Sequence, residues 1–296
     1  MGGVAAAPLI LQQFYRNCDF FPSILTIFRP LNKPPYICYN GYNKKGGRRG
    51  TMLKTRLIYE PKGRANEYNP LALNLYQGCK HGCIYCYAPK ALFKTREDFK
   101  EANPRRNIIP ALTLEAARLS LPWNKPDCPI LLCFTCDPYQ PGEAYYEITR
   151  QAIEILKAYG LNVKILTKGG QLAQRDFDLL GEDDWFGVTL TCDNSEDSVK
   201  WEPLAALPGQ RIENLKVAKA KGLKTWVSLE PVLYPEQTLN LIDITHQFVD
   251  EFKVGVLNYH SRAKEIDWGD FGRRVVAKLD SLACHYYLKA DLRKWL

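Results

Sequence analysis

Long apolar runs, methionine and recognisable histidine motifs are scarce in this chain of 296 residues. No apolar run reaches the roughly 18 residues that a membrane-spanning helix needs, which excludes a helical membrane protein. The histidines form neither an H-x3-H nor an H-E-x-x-H spacing, and the glycines form no G-x-G-x-x-G loop. The sequence therefore gives no support to a histidine metal site or a dinucleotide-binding site.

The composition is that of an ordinary folded protein. Apolar residues make up 46% of the chain and charged residues 24%, which argues against disorder and coiled coil. The net charge is +8, but residues 1–51 hold seven basic residues and one acidic residue. Because the remainder is close to neutral, charge gives little support to a nucleic-acid partner.

Residues 1–51 differ from the rest of the chain. They show no sustained period, contain several prolines and end in a lysine, glycine and arginine cluster over residues 44–50, which is typical of loop or disorder. The apolar segment 2–11 lacks the positive start and cleavage site of a signal peptide. Regular patterning begins after Met52. We therefore predict that residues 1–51 form a poorly structured basic extension, which is either dispensable or lies upstream of the true start of translation. Residues 52–296 are predicted to form one domain.

Ten cysteines dominate the chemistry of the sequence. Without a secretory signal, reduced thiols in the cytoplasm are expected rather than a disulfide framework. Isolated cysteines are interpreted as small buried residues; these are Cys128, Cys192 and Cys284. Three others crowd into eight residues, at Cys79, Cys83 and Cys86. That cluster is the candidate metal site.

The three clustered cysteines are separated by glycines, which permit a tight loop. Thiolates on such a loop can converge on one metal centre, and three of them suit a cubane iron-sulfur cluster with one iron left for an outside ligand. Zinc is the alternative, but a closed zinc site needs a fourth ligand. His81 lies inside the loop, and no second cysteine pair follows at the usual spacing. A third reading, buried packing residues, fits poorly with a polar, glycine-rich loop.

The C-x3-C-x-aromatic-C spacing of Cys79, Cys83, Tyr85 and Cys86 resembles the signature of radical S-adenosylmethionine (SAM) enzymes. The flanking segments 74–78 and 87–89, together with the Cys-Asp-Pro-Tyr-Gln-Pro run at 136–141, resemble the subgroup related to spore photoproduct lyase. The likeness covers roughly residues 52–260. It implies a 4Fe-4S cluster on the three cysteines and bound SAM as cofactors.

Downstream of the cysteine loop, short apolar runs alternate with helical patterns, which predicts an α/β fold with a parallel sheet covered on both faces. About six βα units result, which suits the partial (βα)6 barrel that the resemblance implies. The predicted strands are 74–77, 130–136, 162–167, 185–191, 224–229 and 252–257, and the predicted helices are 113–120, 144–159, 173–180, 210–221 and 239–249.

Polar residues follow the predicted strands at the edge where chemistry gathers in such folds. Asp137 and Lys168 end neighbouring strands. Together they can supply the anion and the cation that a zwitterionic methionine moiety needs. The alternative is that they are solvated or capping groups. The resemblance further implies that Cys136, Asp137, Lys168 and Thr189 line the methionine end of SAM, with Tyr85 near its adenine.

The resemblance also implies reductive cleavage of SAM to methionine and a 5′-deoxyadenosyl radical, which abstracts hydrogen from a substrate. In the lyase the hydrogen donor is a cysteine two residues before the position of Cys136, and here Phe134 stands there. Strand alternation places Cys136 on the face of Phe134 and Cys133 on the opposite face. Cys136 is therefore the candidate hydrogen donor. Tyr85 and Tyr87 match the positions of the lyase's hydrogen relay; the alternative is that their rings pack around the cluster.

Two classes of function remain open. The preferred one is a radical SAM enzyme, lyase-like, which needs an external electron donor of the flavodoxin or ferredoxin type. Its substrate is unknown: a nucleic acid, as in DNA repair, is one candidate, and RNA or a peptide is another. The alternative class is a non-catalytic protein in which zinc or a cluster stabilises the fold.

Overall fold

A computed structural model describes residues 56–296. The predicted extension over residues 1–51 and the proposed start at Met52 lie outside this range. Within it, none of the helices is long and apolar enough to traverse a bilayer.

Five apolar runs form the middle of one sheet, as the sequence predicts. They are β5 (Ile130–Leu132), β6 (Val163–Thr167), β7 (Trp185–Thr189), β8 (Lys224–Leu229) and β9 (Glu251–Val254). Each pairs in parallel with the next. The predicted α/β class with a parallel sheet is therefore confirmed, although β5 ends at Leu132 rather than at Cys136.

The strand predicted just before the cysteine loop is wrong in position. The sheet strand is β2 (Ala72–Leu73), which pairs in parallel with β5. Residues 76–77 form β3 (Tyr76–Gln77), which pairs with β4 (Asn103–Pro104) in a separate two-stranded antiparallel sheet. The chain leaves the sheet at Asn74, whose side-chain oxygen accepts hydrogen bonds from the backbone of Phe134 and Thr135 instead.

Two further strands, β1 (Ile58–Tyr59) and β10 (Tyr286–Leu288), lengthen the sheet to eight, in the order β1-β2-β5-β6-β7-β8-β9-β10. β1 (Ile58–Tyr59) pairs antiparallel to β2 and closes one edge. β10 (Tyr286–Leu288) pairs in parallel with β9 at the other edge. Both are too short to leave a period in the sequence, and neither is among the predicted strands.

The helices alternate with the strands, but several differ from the prediction. The predicted helix 144–159 is broken at Glu147, where φ is 50°, and the predicted helix 173–180 is a 3-10 turn, Gln171–Asp176. The helices are Ala88–Ala91, Arg96–Lys100, Ile108–Leu119, Glu143–Tyr146, Ile148–Ala158, Ser195–Trp201, Pro208–Ala220, Pro235–Thr245, Trp268–Ser281 and Ala290–Arg293.

The two faces of the sheet carry different side chains. One face packs against the helices in a large apolar core, to which β5 contributes Ile130 and Leu132. The opposite face carries a small aromatic cluster that includes Tyr68, Leu131 and Trp226. It also carries Lys164, whose ammonium lies 4.3 Å from the centre of the Trp226 ring and 2.9 Å from Glu251. This second face is therefore buried but polar.

Gly187 makes room for Trp226 on the polar face. A Cβ on Gly187 would lie 2.2 Å from the indole nitrogen, and that nitrogen donates to the carbonyl of Ile165 at 2.9 Å. We expect Gly187→Ala to lower the free energy of unfolding by about 1–3 kcal/mol because the indole must move. Denaturant unfolding measures this. Gly209→Ala is the control, since a Cβ there meets nothing within 4 Å; an equal loss in both variants would contradict the explanation.

Candidate functional site

The loop that carries the three clustered cysteines is anchored to the helix Arg96–Lys100, which follows it in the chain. Gly78 has a φ of +131°, and a Cβ there would lie 2.3 Å from the carbonyl oxygen of Phe99. The next amide, that of Cys79, donates to the same oxygen at 2.9 Å. Glycine is therefore required at position 78, and the loop begins at a fixed point.

Cys79, Cys83 and Cys86 line one pocket of about 260 Å³. Burial raises the pKa of the Cys79 thiol well above its ordinary value and that of Cys83 to about 12. Among residues 56–296, no three cysteine, histidine, aspartate or glutamate side chains are close enough to hold a single metal ion. The three thiols thus share a pocket without meeting at one point.

His81 points away from this pocket. Its Nδ1 lies 3.5 Å from a carboxylate oxygen of Asp137, and it is not among the side chains that line the pocket of the cysteines. Burial lowers the pKa of His81 despite the nearby carboxylate, so its imidazole is neutral at pH 7. The cysteine loop is in this way packed against the end of the sheet.

Asp137 joins the ends of β5 and β6. One carboxylate oxygen accepts from the Thr167 hydroxyl at 2.6 Å and from the Tyr139 amide at 2.8 Å. The other oxygen accepts from the backbone amide of Lys168 at 2.7 Å. The predicted proximity of Asp137 and Lys168 is therefore present, but this carboxylate is already engaged by the protein itself.

The ammonium of Lys168 has a different environment. It lies 5.7 Å from the centre of the Tyr85 ring, and among the described residues it has no hydrogen bond or ion pair. Burial alone would lower the pKa of Lys168, but the charges of Cys83 and Glu202 raise it above its ordinary value. A charged, directly unpaired group therefore faces the inner side of the cysteine loop.

Tyr85 is tied to a buried ion pair. Its hydroxyl donates to one carboxylate oxygen of Glu202, and the other oxygen lies 2.5 Å from the guanidinium of Arg211. Arg211 also donates to the carbonyl of Thr189, the last residue of β7, at 2.9 Å. The network links the cysteine loop to the edge of the sheet, and it holds Tyr85 beside Lys168 rather than beside Cys136.

Tyr87 lies on the other side of the loop. Its ring centre is 6.0 Å from that of Phe134, and its 40% exposed side chain is within electrostatic range of Cys86 and Cys136. The two tyrosines assigned to a relay are thus separated, with Tyr87 close to Cys136 and Tyr85 close to Lys168.

The prediction that Cys133 and Cys136 lie on opposite faces is wrong. It assumed that the strand continues to Cys136, whereas β5 ends at Leu132 and the chain bends over residues 134–136. Alternation no longer applies beyond the strand. Both residues instead pack against the large apolar core, whereas Phe134 packs against the aromatic cluster of the other face.

Three residues of the site were not found from the sequence: Glu202, Arg211 and Asn74. Glu202 and Arg211 are each only 1% exposed. A buried charge pair between a loop and a helix leaves no local pattern, so no signal in the sequence distinguishes them from surface charges. Asn74 belonged to the predicted strand, and a buried asparagine among apolar residues was a signal that this strand is interrupted.

A profile of the radical SAM superfamily matches residues 73–249. The chain belongs to this superfamily. The match begins in β2 and spans the cysteine loop and the strand ends that carry Asp137, Lys168 and Thr189. The mostly parallel sheet is accordingly the partial barrel of a radical SAM protein.

An uncharacterized protein of Mycobacterium tuberculosis is 29% identical over 197 residues, which are 62% of this chain and 55% of that protein. The chain thus spans about half the length of this relative. A second uncharacterized relative, from Methanocaldococcus jannaschii, is 26% identical over 166 residues, 54% of this chain and 60% of that protein.

Solved structures share the radical SAM fold at low identity. A variant of spore photoproduct lyase aligns with a TM-score of 0.62 and 13% identity, over 80% of this chain and 79% of that one; another variant, with bound AdoMet and a dinucleoside spore photoproduct, has a TM-score of 0.58. Streptococcus suis SuiB bound to its precursor peptide aligns with a TM-score of 0.54 and 16% identity, over 74% of this chain and 48% of that one.

Removing Arg211 tests how strongly the ion pair supports this radical SAM site. Arg211→Met leaves the Glu202 carboxylate buried without its partner, so we expect the free energy of unfolding to fall by about 3–5 kcal/mol. Arg274→Met is the control, because the Arg274 and Glu236 pair, 2.6 Å apart, is exposed and such pairs contribute about 1 kcal/mol or less. Similar losses in both variants, measured by denaturant unfolding, would refute the assignment.

The pH dependence of stability gives a second test of the pair. Burial raises the pKa of Glu202, but the positive charges of Arg211 and Lys168 lower it by more than burial raises it. The pKa of this carboxyl group therefore lies below its ordinary value of 4.5. The resulting stability is present above that value and is lost as the pH falls through the depressed pKa. We expect the difference in unfolding free energy between the wild type and Glu202→Gln to shrink below about pH 4.5. A difference independent of pH would contradict this.

Proposed function

We propose that the protein is a radical SAM enzyme that holds a 4Fe-4S cluster on Cys79, Cys83 and Cys86 and cleaves SAM reductively. One observation carries the proposal: the three thiols line a single pocket, and the unpaired ammonium of Lys168 lies on the inner side of the same loop. A metal site that merely stabilised the fold would have no use for that cation.

The donor set favours a cluster over zinc. A closed zinc site needs four ligands around one ion, whereas the loop supplies three thiols and its histidine, His81, is engaged with Asp137. A cubane cluster needs only three protein thiolates when its fourth iron takes an outside ligand. Three soft thiolates in one pocket fit that requirement.

SAM would lie between the cysteine loop and the ends of β5, β6 and β7. The ammonium of Lys168 is free to pair with the carboxylate of SAM. The ring of Tyr85 borders the same space, with its centre 5.7 Å from the Lys168 ammonium. Asp137 orients Lys168 through its backbone amide, while Cys136 and Thr189 complete the edge. Asp137 can accept the SAM ammonium as an additional donor, because a carboxylate oxygen has two lone pairs.

When bound, the cluster supplies the electron that breaks a carbon–sulfur bond of SAM. The chain's own share is to bind and orient SAM and to hold the hydrogen donors. Cys136 carries a half-buried thiol within electrostatic range of Tyr87, so this pair is the better placed for hydrogen transfer. Tyr85, hydrogen-bonded to Glu202, acts in positioning.

The substrate class follows only by likeness. Spore photoproduct lyase binds a dinucleoside photoproduct, which supports a lyase-like reaction on a nucleic acid, and SuiB binds a precursor peptide, which supports peptide modification. Phe134 stands where the lyase has its donor cysteine, so the reaction differs from the lyase's at the quenching step. An external flavodoxin- or ferredoxin-like protein would deliver the electron, and the free thiols over 56–296 suit a reducing cytoplasm.

Cys83→Ala tests the cluster. Because each of the three thiolates binds iron, we expect this variant to lose most of its iron and sulfide after anaerobic reconstitution. Cys128→Ala, which removes a half-buried thiol outside the pocket, serves as the control and should keep both. Full iron and sulfide in Cys83→Ala would remove the cluster from these residues.

Lys168→Ala tests the SAM site separately. Losing a charge-assisted contact worth about 1.5–3 kcal/mol corresponds to binding that is roughly 10 to 150 times weaker. We expect that loss in a SAM titration, with the iron content unchanged. Lys221→Ala removes an exposed lysine and should bind SAM normally. Equal affinities in the two variants would rule out the role of Lys168.

A further inference from the structure

Cys133 and Cys136 form a C-x-x-C pair that the proposed chemistry uses only in part. Cys133 follows the last residue of β5 and is 3% exposed. Cys136 lies three residues later, at the end of the bend, and is half-buried. Thiols at this spacing can be joined when the intervening backbone is turned.

Asn74 holds the intervening backbone in a turn. Its side-chain oxygen accepts from the amides of both Phe134 and Thr135, each at 2.8 Å. Asn74 is itself 5% exposed, and its amide nitrogen donates to the Tyr59 hydroxyl at 2.8 Å. One side chain thus holds the bend in the backbone between the two cysteines.

The thiols themselves are neighbours. Cys133 belongs to the large apolar core, and Cys136 packs against the same core. Burial raises the pKa of the Cys133 thiol well above its ordinary value, and the nearby Cys136 thiol raises it further. Two cysteines three residues apart, packed against one core on either side of a bend that Asn74 holds, are placed to form a disulfide.

We propose that Cys133 and Cys136 are a reversible dithiol–disulfide pair, oxidised by a low-molecular-weight disulfide. The sulfur of Cys136, the more exposed of the two, attacks the small disulfide and releases one small thiol, which takes the proton of Cys136. The sulfur of Cys133 then attacks the mixed disulfide on Cys136 and releases the second small thiol with the proton of Cys133. Two protein thiols are oxidised by two electrons, and one small disulfide is reduced to two thiols.

Formation of the Cys133–Cys136 disulfide affects the proposed hydrogen donor, because Cys136 is one of the two cysteines. Cys136 is within electrostatic range of Cys79 and of Tyr87. Oxidation removes the hydrogen on the Cys136 thiol, so the disulfide form lacks the donor assigned above. This consequence rests on the proposed function, whereas formation of the disulfide does not.

The test uses the full-length protein equilibrated anaerobically with mixtures of oxidised and reduced glutathione. Free thiols are blocked with N-ethylmaleimide, disulfides are reduced, and the released thiols are labelled with iodoacetamide before mass spectrometry. We expect Cys133 and Cys136 to acquire the second label together as the fraction of oxidised glutathione rises. The matched control, Cys128→Ser, removes the nearest other cysteine in the sequence and should leave this labelling unchanged.

Cys133→Ser provides the decisive variant. Without the resolving thiol, the mixed disulfide persists, so we expect a glutathione adduct to accumulate on Cys136 and the intramolecular disulfide to be lost completely. Cys133→Ala gives the same reading should a buried serine hydroxyl prevent folding. The inference is overturned if both thiols stay unoxidised in oxidised glutathione alone, or if neither variant accumulates the adduct.

The readout requires neither SAM nor turnover. A protein that forms this disulfide but does not cleave SAM refutes the proposed function and leaves the pair intact. A protein that cleaves SAM while both thiols resist oxidation refutes the pair and leaves the function intact.

Discussion

The buried ion pair of Glu202 and Arg211 holds the cysteine loop against the sheet. Glu202 accepts from the Tyr85 hydroxyl on the loop, and Arg211 reaches the carbonyl of Thr189 at the end of β7. Burying a carboxylate without its partners costs several kcal/mol. Conformations of the cysteine loop that break the contacts of Glu202 are therefore strongly disfavoured. The loop therefore has its shape before any cofactor binds, which is what a site that must position a reactive group requires.

Asp137 holds together the ends of β5 and β6 on the other side of the site. Because its carboxylate binds backbone and hydroxyl groups, the Lys168 ammonium remains free to bind a ligand. The carboxylate binds the Lys168 backbone rather than its ammonium. The ammonium lies over the ring of Tyr85 and has no hydrogen bond or ion pair among the described residues. A zwitterionic ligand can therefore find a cation here that the fold leaves unused, while the anion at Asp137 also supports the structure.

Much of this fold could be predicted because strands buried on both faces are nearly continuous apolar runs, as in β6 and β8. The two-residue strands β1 and β2 could not, since two residues carry no period. The three clustered cysteines, which line one pocket, were singled out by their spacing and by the family motif that it resembles. The Glu202 and Arg211 pair was not, because its partners are distant in the chain and only packing brings them together. Cys133 was misplaced because the end of β5 was set four residues too late.

The most direct test is SAM cleavage itself. The protein is reconstituted anaerobically with iron and sulfide, reduced with dithionite and given SAM, and 5′-deoxyadenosine is measured by mass spectrometry. The account predicts that the wild type forms 5′-deoxyadenosine and that Cys83→Ala does not. A wild-type protein that carries a full cluster and binds SAM, yet forms no 5′-deoxyadenosine with or without candidate nucleic-acid and peptide substrates, would contradict it.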